Sequence, residues 1–224
     1  MKLLAFECAN FSCSAAVLEE QADGLEIKTF EMRESTQGQG AALIPLIQKV
    51  IKQARLSFEQ IDAIAVTTGA GSFTGVRIGL AAAQGFKLAT GLPTIGINSF
   101  EVAAYHASQL DPPEGSPILV VLESRRKDRY CQLFDRWGKP LKPAVALLPE
   151  QLEEYSSLNV LITGNGTHGF LPPEFQSLPR ITASFNAQDV GAYAHHILLN
   201  DQMNLYPLTP FYLRLPDTSG PLNK

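Results

Sequence analysis

Several common chemistries are excluded by what this sequence lacks. Cysteine is scarce: Cys8, Cys13 and Cys131 are the full complement in 224 residues, and no two of them make a C-x-x-C pair. Cys8 and Cys13 fall in apolar, strand-like sequence and read as buried small hydrophobes of a reduced protein. Histidine is equally sparse. His106, His168, His195 and His196 include no H-x-x-x-H spacing, and the adjacent pair would point in different directions from a helix, so no metal site is expected. There is no G-K-[ST] for a P-loop and no G-x-S-x-G for a serine nucleophile, and the loop at Gly69–Gly75 is spaced G-x-G-x-x-x-G, which misses the dinucleotide fingerprint. No apolar run is long enough to span a bilayer. Met1-Lys2 leads straight into a strand with no signal-peptide pattern, so the expectation is a cytoplasmic protein without membrane contact. Positive charge is also in deficit. With 18 Lys and Arg against 22 Asp and Glu, the net charge is −4, a poor basis for binding nucleic acid alone.

What is present is an ordinary globular balance, 45% hydrophobic and 18% charged, with enough apolar surface for a core. Leu3–Cys8, Ser12–Leu18 and Leu25–Arg33 read as strands of an antiparallel meander, with a hairpin turn at Asp23-Gly24. Leu43, Ile47, Val50 and Ala54 then repeat at helical spacing. Pro45 belongs in a first turn, which starts that helix near Ala42 or Leu43. Ile61–Thr67 is a covered strand, Val76–Thr90 a second helix stopped at Gly91, and Thr94–Ile97 another strand. The second half is a looser echo. It has strands at Ile118–Leu122, Tyr130–Asp135, Leu141–Leu147 and Asn159–Thr163, and helices at Glu150–Ser156 and Val190–Leu199. The order suggests a duplicated β-β-β-α-β-α unit, an α/β fold with mixed sheets. The lobes would be 1–105 and 106–216, followed by a disordered tail at 217–224.

The stretch VTTGAGSFTGVRIGLAAAQG, residues 66–85, runs from a strand through a glycine-rich loop into a helix. Gly69, Gly71 and Gly75 let a backbone approach closely, and Ser72 and Thr74 suit a helix cap or a phosphate. A turn that simply closes a strand–helix corner is the preferred reading, with phosphate binding as the alternative. In the helix, Gly79, Ala81, Ala82, Ala83 and Gly85 leave the surface bare. Each interior glycine costs about 0.5–1 kcal/mol relative to alanine, so close packing must offset it. The expected neighbour is helix Leu43–Arg55. Both helices are then expected to meet those of another subunit in a four-helix contact. Leu43, Ile47, Ile51 and Ala54 would carry that contact from one helix, and Val76, Ile78, Gly79, Ala82, Ala83 and Phe86 from the other.

"GAGSFTGVRIGLAAAQG" resembles the G-P-G-S-F-T-G-[VL]-R-[IV]-G motif of the TsaB (YeaZ) family. "LPTIGINSFEVAA" is similar to that family's strand and following helix. "ESRRKDRYCQLFD" resembles its D-A-R-x-x-E-V-Y hairpin, with Arg125 and Tyr130 matching. "PFYLR" at 210–214 matches its C-terminal P-x-Y-L-R. The resemblance implies the two-lobed actin/Hsp70/sugar-kinase-like (ASKHA) fold. It also implies a non-catalytic partner in making threonylcarbamoyladenosine in tRNA. Such a subunit dimerises with the catalytic TsaD, which holds metal and ATP, and the ATPase TsaE joins them. The implied contact is through the two helices of the first lobe, with self-association as a homodimer by the same surface. The isolated chain would need no cofactor; ATP or ADP at the partner junction stays open, as does tRNA contact within the complex.

The departures from the family all concern nucleotide chemistry. Glu7-Cys8-Ala9 stands where the family has D-T-S, Glu123 where the hairpin has Asp, and Gln39 where His is common. The competing reading is an autonomous ATP-dependent phosphotransferase or hydrolase of the same fold. Glu7, Gly69, Gly71, Ser72 and Thr74 would then lie on the nucleotide. Glu7 and Glu123 as a catalytic carboxylate pair is weighed below a structural role. Arg125, Arg126, Lys127 and Arg129 form a basic knot. A solvated hairpin turn is the preferred reading there, and contact with tRNA or a partner the alternative. Gly164-Asn165-Gly166 is read as a structural turn rather than an adenosine loop.

Overall fold

The computed structural model describes every residue except 11, 35–38, 125, 176, 182–184 and 215–224. The expected tail at 217–224 therefore lies outside the described residues, as do Arg125 and the side chain of Gln39.

The alternation along β1 (Lys2–Glu7) sets the layering. Leu3 and Ala5 join one core, Leu4 and Phe6 another, and all four are fully buried. A strand with no polar face must be covered on both sides. β1 pairs antiparallel with β2 (Ser12–Gln21), which pairs antiparallel with β3 (Gly24–Glu34). On its other edge β1 runs parallel to β4 (Ala63–Gly69), and β4 parallel to β5 (Thr94–Asn98). The second sheet repeats the plan strand for strand. β6 (Ile118–Glu123) pairs antiparallel with β7 (Arg129–Phe134), and β7 with β8 (Val145–Leu147). β6 also runs parallel to β9 (Leu161–Thr163), and β9 to β10 (Arg180–Ile181). The orders β3-β2-β1-β4-β5 and β8-β7-β6-β9-β10 are one topology used twice, as the element order in the sequence implied.

Helices differ between the copies. α1 (Gln39–Gln53) and α2 (Phe73–Thr90) cover the outer face of the first sheet, packing on Leu4, Phe6, Ile64 and Val66. Their counterparts over the second sheet are 3-10 turns at Pro149–Tyr155 and Pro173–Phe175. The helix expected at Glu150–Ser156 is thus a 3-10 turn. The strand expected at Leu141–Leu147 shortens to β8, because Pro140 and Pro143 interrupt the ladder. α1 starts at Gln39, earlier than expected, so Pro45 lies inside it. Pro45 and Ala41, whose carbonyl it leaves without a helical donor, are both solvent-exposed, which leaves that carbonyl to water. α2 begins under an Ser72 cap that accepts from Gly75 N, and ends at Gly91 in the left-handed conformation (φ 71°).

The closing helices cross over. α3 (Ser99–Ser108) follows the first sheet but packs chiefly on β6. α4 (Ala187–Leu199) follows the second sheet but packs on β1 and β2. Together they fill the central core between the sheets with Phe100, Ala104, Val190 and Ala194. Gly191 permits the approach of α4, since a Cβ there would overlap the Leu18 side chain. His106 of α3 hydrogen-bonds Asp189 of α4 at 2.7 Å, and Asp189 also accepts from the backbone of Asn186 at the start of α4. That carboxylate holds the imidazole above its usual range, against the opposing effect of partial burial. The expected lobe boundary at 105/106 falls inside α3.

After α4 the chain returns as a strap over the first sheet. Tyr206 O accepts from Gly96 N at 3.0 Å, and Phe211 N donates to Thr68 O at 2.8 Å. Arg214 then pairs with Asp128, a buried carboxylate beside β7. Gly96 is the steric key: a Cβ there would meet Pro207 O at 2.5 Å and Thr68 Cγ2 at 2.7 Å. Gly96→Ala should therefore lift the strap while the sheets persist, at a cost of about 1–3 kcal/mol by urea unfolding. Native hydrogen exchange should show the Phe211 amide losing at least about tenfold of its protection while the β1 amides keep theirs. Equal protection at Phe211 in both proteins would mean that the strap is held elsewhere.

Candidate cleft and helix face

A cavity of about 290 Å³ opens between the two sheets, beyond the ends of β1 and β6. Ala9, Asn10 and the glycine loop at Ala70–Thr74 form one wall, Glu123, Ser124 and Asn165 the opposite wall, and the strap from Phe211 to Arg214 closes a side. The loop is drawn against the end of β1. Ser72 N donates to Ala9 O at 2.6 Å, and a Cβ on Gly71 would overlap that same carbonyl. One backbone N–H suited to an anion is thus consumed inside the protein, and the helix cap on Ser72 uses another. Thr74 is exposed at the rim and Gly69 lies under Phe211 O. Of the loop residues singled out from the sequence, Gly71, Ser72 and Thr74 line the cavity and Gly69 does not, with the loop shaped by β1 and the strap.

Glu7 does not line the cavity. It is fully buried, and its Oε1 accepts from Ala9 N (2.5 Å), Asn10 N (2.9 Å) and Thr67 Oγ1 (3.3 Å), while Oε2 has no partner among the described residues. The longer arm of glutamate has turned the carboxyl onto its own turn. Burial pushes its pKa up to about 8, overriding the lowering by the Asn10 and Ala9 amides and by Thr67. Glu123 does reach the cavity wall and pairs with Arg129 at 3.0 Å. Arg129 is held further by Gly166 O (3.2 Å) and stacks over Phe170, 5.0 Å from the ring centre.

The turn Gly164-Asn165-Gly166 has a role that composition alone did not reveal. Asn165 accepts from Glu123 N at 2.9 Å and donates to Asn10 Oδ1 at 3.0 Å, while Asn10 donates to Phe185 O at 3.3 Å. These two asparagines clasp the lobes across the cleft floor. Gly164 and Gly166 admit this because a side chain on either would run into the backbone of β6. In the basic knot, Arg129 is committed to an internal pair with Glu123, and the intervening Asp128 to one with Arg214. Arg126 and Lys127 are exposed beside the cleft.

The helix face divides in two. Leu43, Ile47, Ile51, Val76, Gly79 and Ala83 are buried in this chain's own core. Gly79 answers to β4, since a Cβ there would meet Val66 Cγ2 at 3.1 Å; its absence serves the sheet rather than a second helix. Ala54, Ile78, Ala82 and Phe86 are half-buried. Outside them runs an exposed stripe, Ala81, Gly85, Leu88 and Ala89, with Leu88 90% exposed and Ile44 of α1 41% exposed. Gly40 packs against Ile78, so α1 and α2 meet along this side. Leu208 of the strap packs on the core beneath α1 and α2, and the strap meets the first turns of α2. There Tyr212 lies 5.1 Å from the Phe73 ring and Arg77 sits 3.8 Å over that ring.

Glu7 yields a pH dependence with a definite sign. Between an ordinary 4.5 and about 8 the folded chain keeps a proton that the unfolded chain has lost. Stability therefore falls with rising pH across that window, by up to about 1.4 kcal/mol per pH unit, and Glu7 contributes no slope above it. Glu7→Gln keeps the acceptor and places an amide where Oε2 lies. Urea unfolding should show the variant gaining on the parent protein between about pH 5 and pH 8; parallel curves would place the Glu7 proton elsewhere.

A family model described as "TsaD: tRNA N6-adenosine threonylcarbamoyltransferase" matches residues 36–167. The tRNA threonylcarbamoyladenosine biosynthesis protein TsaB of Haemophilus influenzae is 30% identical over 178 residues, 74% of this chain and 72% of that protein. The TsaB of Escherichia coli is 33% identical over 138 residues, 61% of this chain and 56% of the relative, so the matched part spans just over half of that protein. In three dimensions the chain is similar to YeaZ from Pseudomonas aeruginosa, with a TM-score of 0.73 at 20% identity, covering 94% of this chain and 100% of that one. A second P. aeruginosa structure, described as similar to YeaZ, gives a TM-score of 0.75 at 21% identity, covering 95% and 99%. The duplicated sheets are thus the ASKHA architecture that the motifs implied. The Ser-Phe-Thr-Gly-Val-Arg loop and 30% identity to a TsaB over most of both chains show that the chain belongs to the TsaB (YeaZ) family.

Proposed function

We propose that this chain is a non-catalytic partner subunit in the synthesis of threonylcarbamoyladenosine in tRNA. It docks on a TsaD-like catalytic subunit through the outer stripe of α1 and α2, and a TsaE-like ATPase joins the pair. The observation that supports docking is the stripe itself: Ala81, Gly85, Leu88 and Ala89 stand open to solvent on a helix whose other side is fully used. Small residues there let a facing helix approach closely, and one leucine supplies an apolar anchor. The same stripe serves self-association, so homodimer and heterodimer compete for one surface.

The cleft supports the partner reading over an autonomous phosphotransferase. In this chain's own cleft the carboxylate of Glu7 is turned away, Glu123 is neutralised by Arg129, and the loop amide of Ser72 is bound to Ala9. These residues do not fit a metal-bound triphosphate, and no catalytic step is assigned to them. ATP or ADP is assigned to the junction with the catalytic subunit, and tRNA contact to the assembled complex.

The test is the mass of the mixture with a TsaD-like subunit, by light scattering after gel filtration. Leu88→Glu and Ala81→Arg change only exposed positions, so the monomer should keep its circular dichroism and melting midpoint. Affinity should fall at least about tenfold, equivalent to about 1.4 kcal/mol. Gly79→Leu is unsuitable because it would strike Val66 inside the monomer. Undiminished binding by both exposed variants would remove the stripe from the contact. Turnover of ATP with magnesium by the isolated chain would favour the enzyme reading.

A further inference from the structure

Cys8 follows β1 and Cys13 lies at the start of β2, one rung beyond the Glu7–Ser14 pair of the antiparallel ladder. Their Sγ atoms are 2.8 Å apart, and each residue is only 1% exposed. Both are free thiols, and Cys131 is remote, in the separate core behind the second sheet. Four residues separate the two cysteines. Two of them hold the cleft together: Ala9 O accepts from Ser72 N, and Asn10 joins Asn165 and Phe185. The dithiol thus lies at the base of the turn to which both the glycine loop and the second lobe are fastened.

We propose that Cys8 and Cys13 form a thiol–disulfide modification site, closing to an intramolecular disulfide on reaction with a small dialkyl disulfide such as oxidised glutathione. One cysteine thiolate attacks a sulfur of the reagent and expels a glutathione thiolate, leaving a mixed disulfide. The second cysteine thiolate attacks the protein sulfur of that bond and expels the other glutathione thiolate. The two protein thiols lose two electrons and two protons; the reagent gains both and leaves as two molecules of reduced glutathione. The second step is favoured by the ladder, which already holds the attacking sulfur beside its target. In the unfolded chain that encounter requires ordering the loop. The neighbouring Cys13 thiol and burial both push the Cys8 thiol far up, so exchange is slow and awaits local opening of the turn. The position of the equilibrium is unaffected by that delay.

The test equilibrates the full chain in glutathione buffers of graded oxidised-to-reduced ratio, once folded and once in denaturing urea. Acid quenching, alkylation and peptide mapping then locate every disulfide. The expected result is a Cys8–Cys13 disulfide with Cys131 still a thiol. Its formation constant against glutathione should be at least about tenfold larger in the folded chain than in urea. A folded-state constant equal to or below the urea value would overturn the proposal. So would glutathione adducts that stay on either cysteine, or disulfides between chains. Neither readout depends on the catalytic partner, so the result stands apart from the docking experiment.

Discussion

The exchange of helices between the two sheets is the constraint on which the rest of this structure depends. Each half ends in a helix that the other half buries: α3 lies against β6, α4 against β1 and β2. Neither sheet could cover its inner face alone, because Leu3, Ala5, Ile118 and Val120 all face the shared layer. The two halves are therefore one cooperative core, even though the topology repeats. The cleft is what remains where the sheets diverge past this layer. Its width is set by the Asn10–Asn165 clasp at the floor and by the strap, whose Arg214 grips Asp128 across the gap. A cleft tied at two places is braced rather than hinged.

Much of the architecture was legible from residue order. The apolar alternation of β1, the unbroken run of β4 and the helical period of α1 fix layers and element types, because each pattern has a single way to bury its apolar groups. The second half was harder. Pro140, Pro143, Pro149 and Pro173 shorten its strands and tighten its helices into 3-10 turns, and short elements leave little period to read. The crossing of α3 and α4 had no local signal at all, since an amphipathic helix declares that it packs but not upon which sheet. Gly191 was the one clue, and it becomes meaningful only once Leu18 is seen above it.

The site was legible in outline and misleading in detail. Ala70–Thr74 of the glycine loop and Asn165 of the second turn line one cavity, although the sequence read both stretches as structural turns and gave no sign that they meet. Glu7 shows where a sequence ends as a guide. An acid in the first strand has the sign needed for nucleotide chemistry, yet one added methylene relative to aspartate turns it into a cap for its own turn, buried and carrying its proton to about 8. Asn165 was the reverse case: it looked like turn punctuation, but its side chain closes the floor of the cleft.

The bare surface of α2 has two causes that lie on opposite sides of one helix. Gly75, Gly79 and Ala83 face inward beside Val76 and Leu80, and at Gly79 the Val66 side chain limits how large a residue can be. Ala81, Gly85 and Ala89 face outward and are exposed, and a Cβ on Gly85 would meet no atom of the described residues within 4 Å. The helix tolerates the glycine at 85 at a cost in propensity that no internal contact offsets. Among the described residues the second half of the duplication carries no comparable face, because its outer helices are reduced to Pro149–Tyr155 and Pro173–Phe175. The lobes are therefore asymmetric among the described residues, one with two full helices turned outward and one without, and the proposed docking surface rests on that asymmetry.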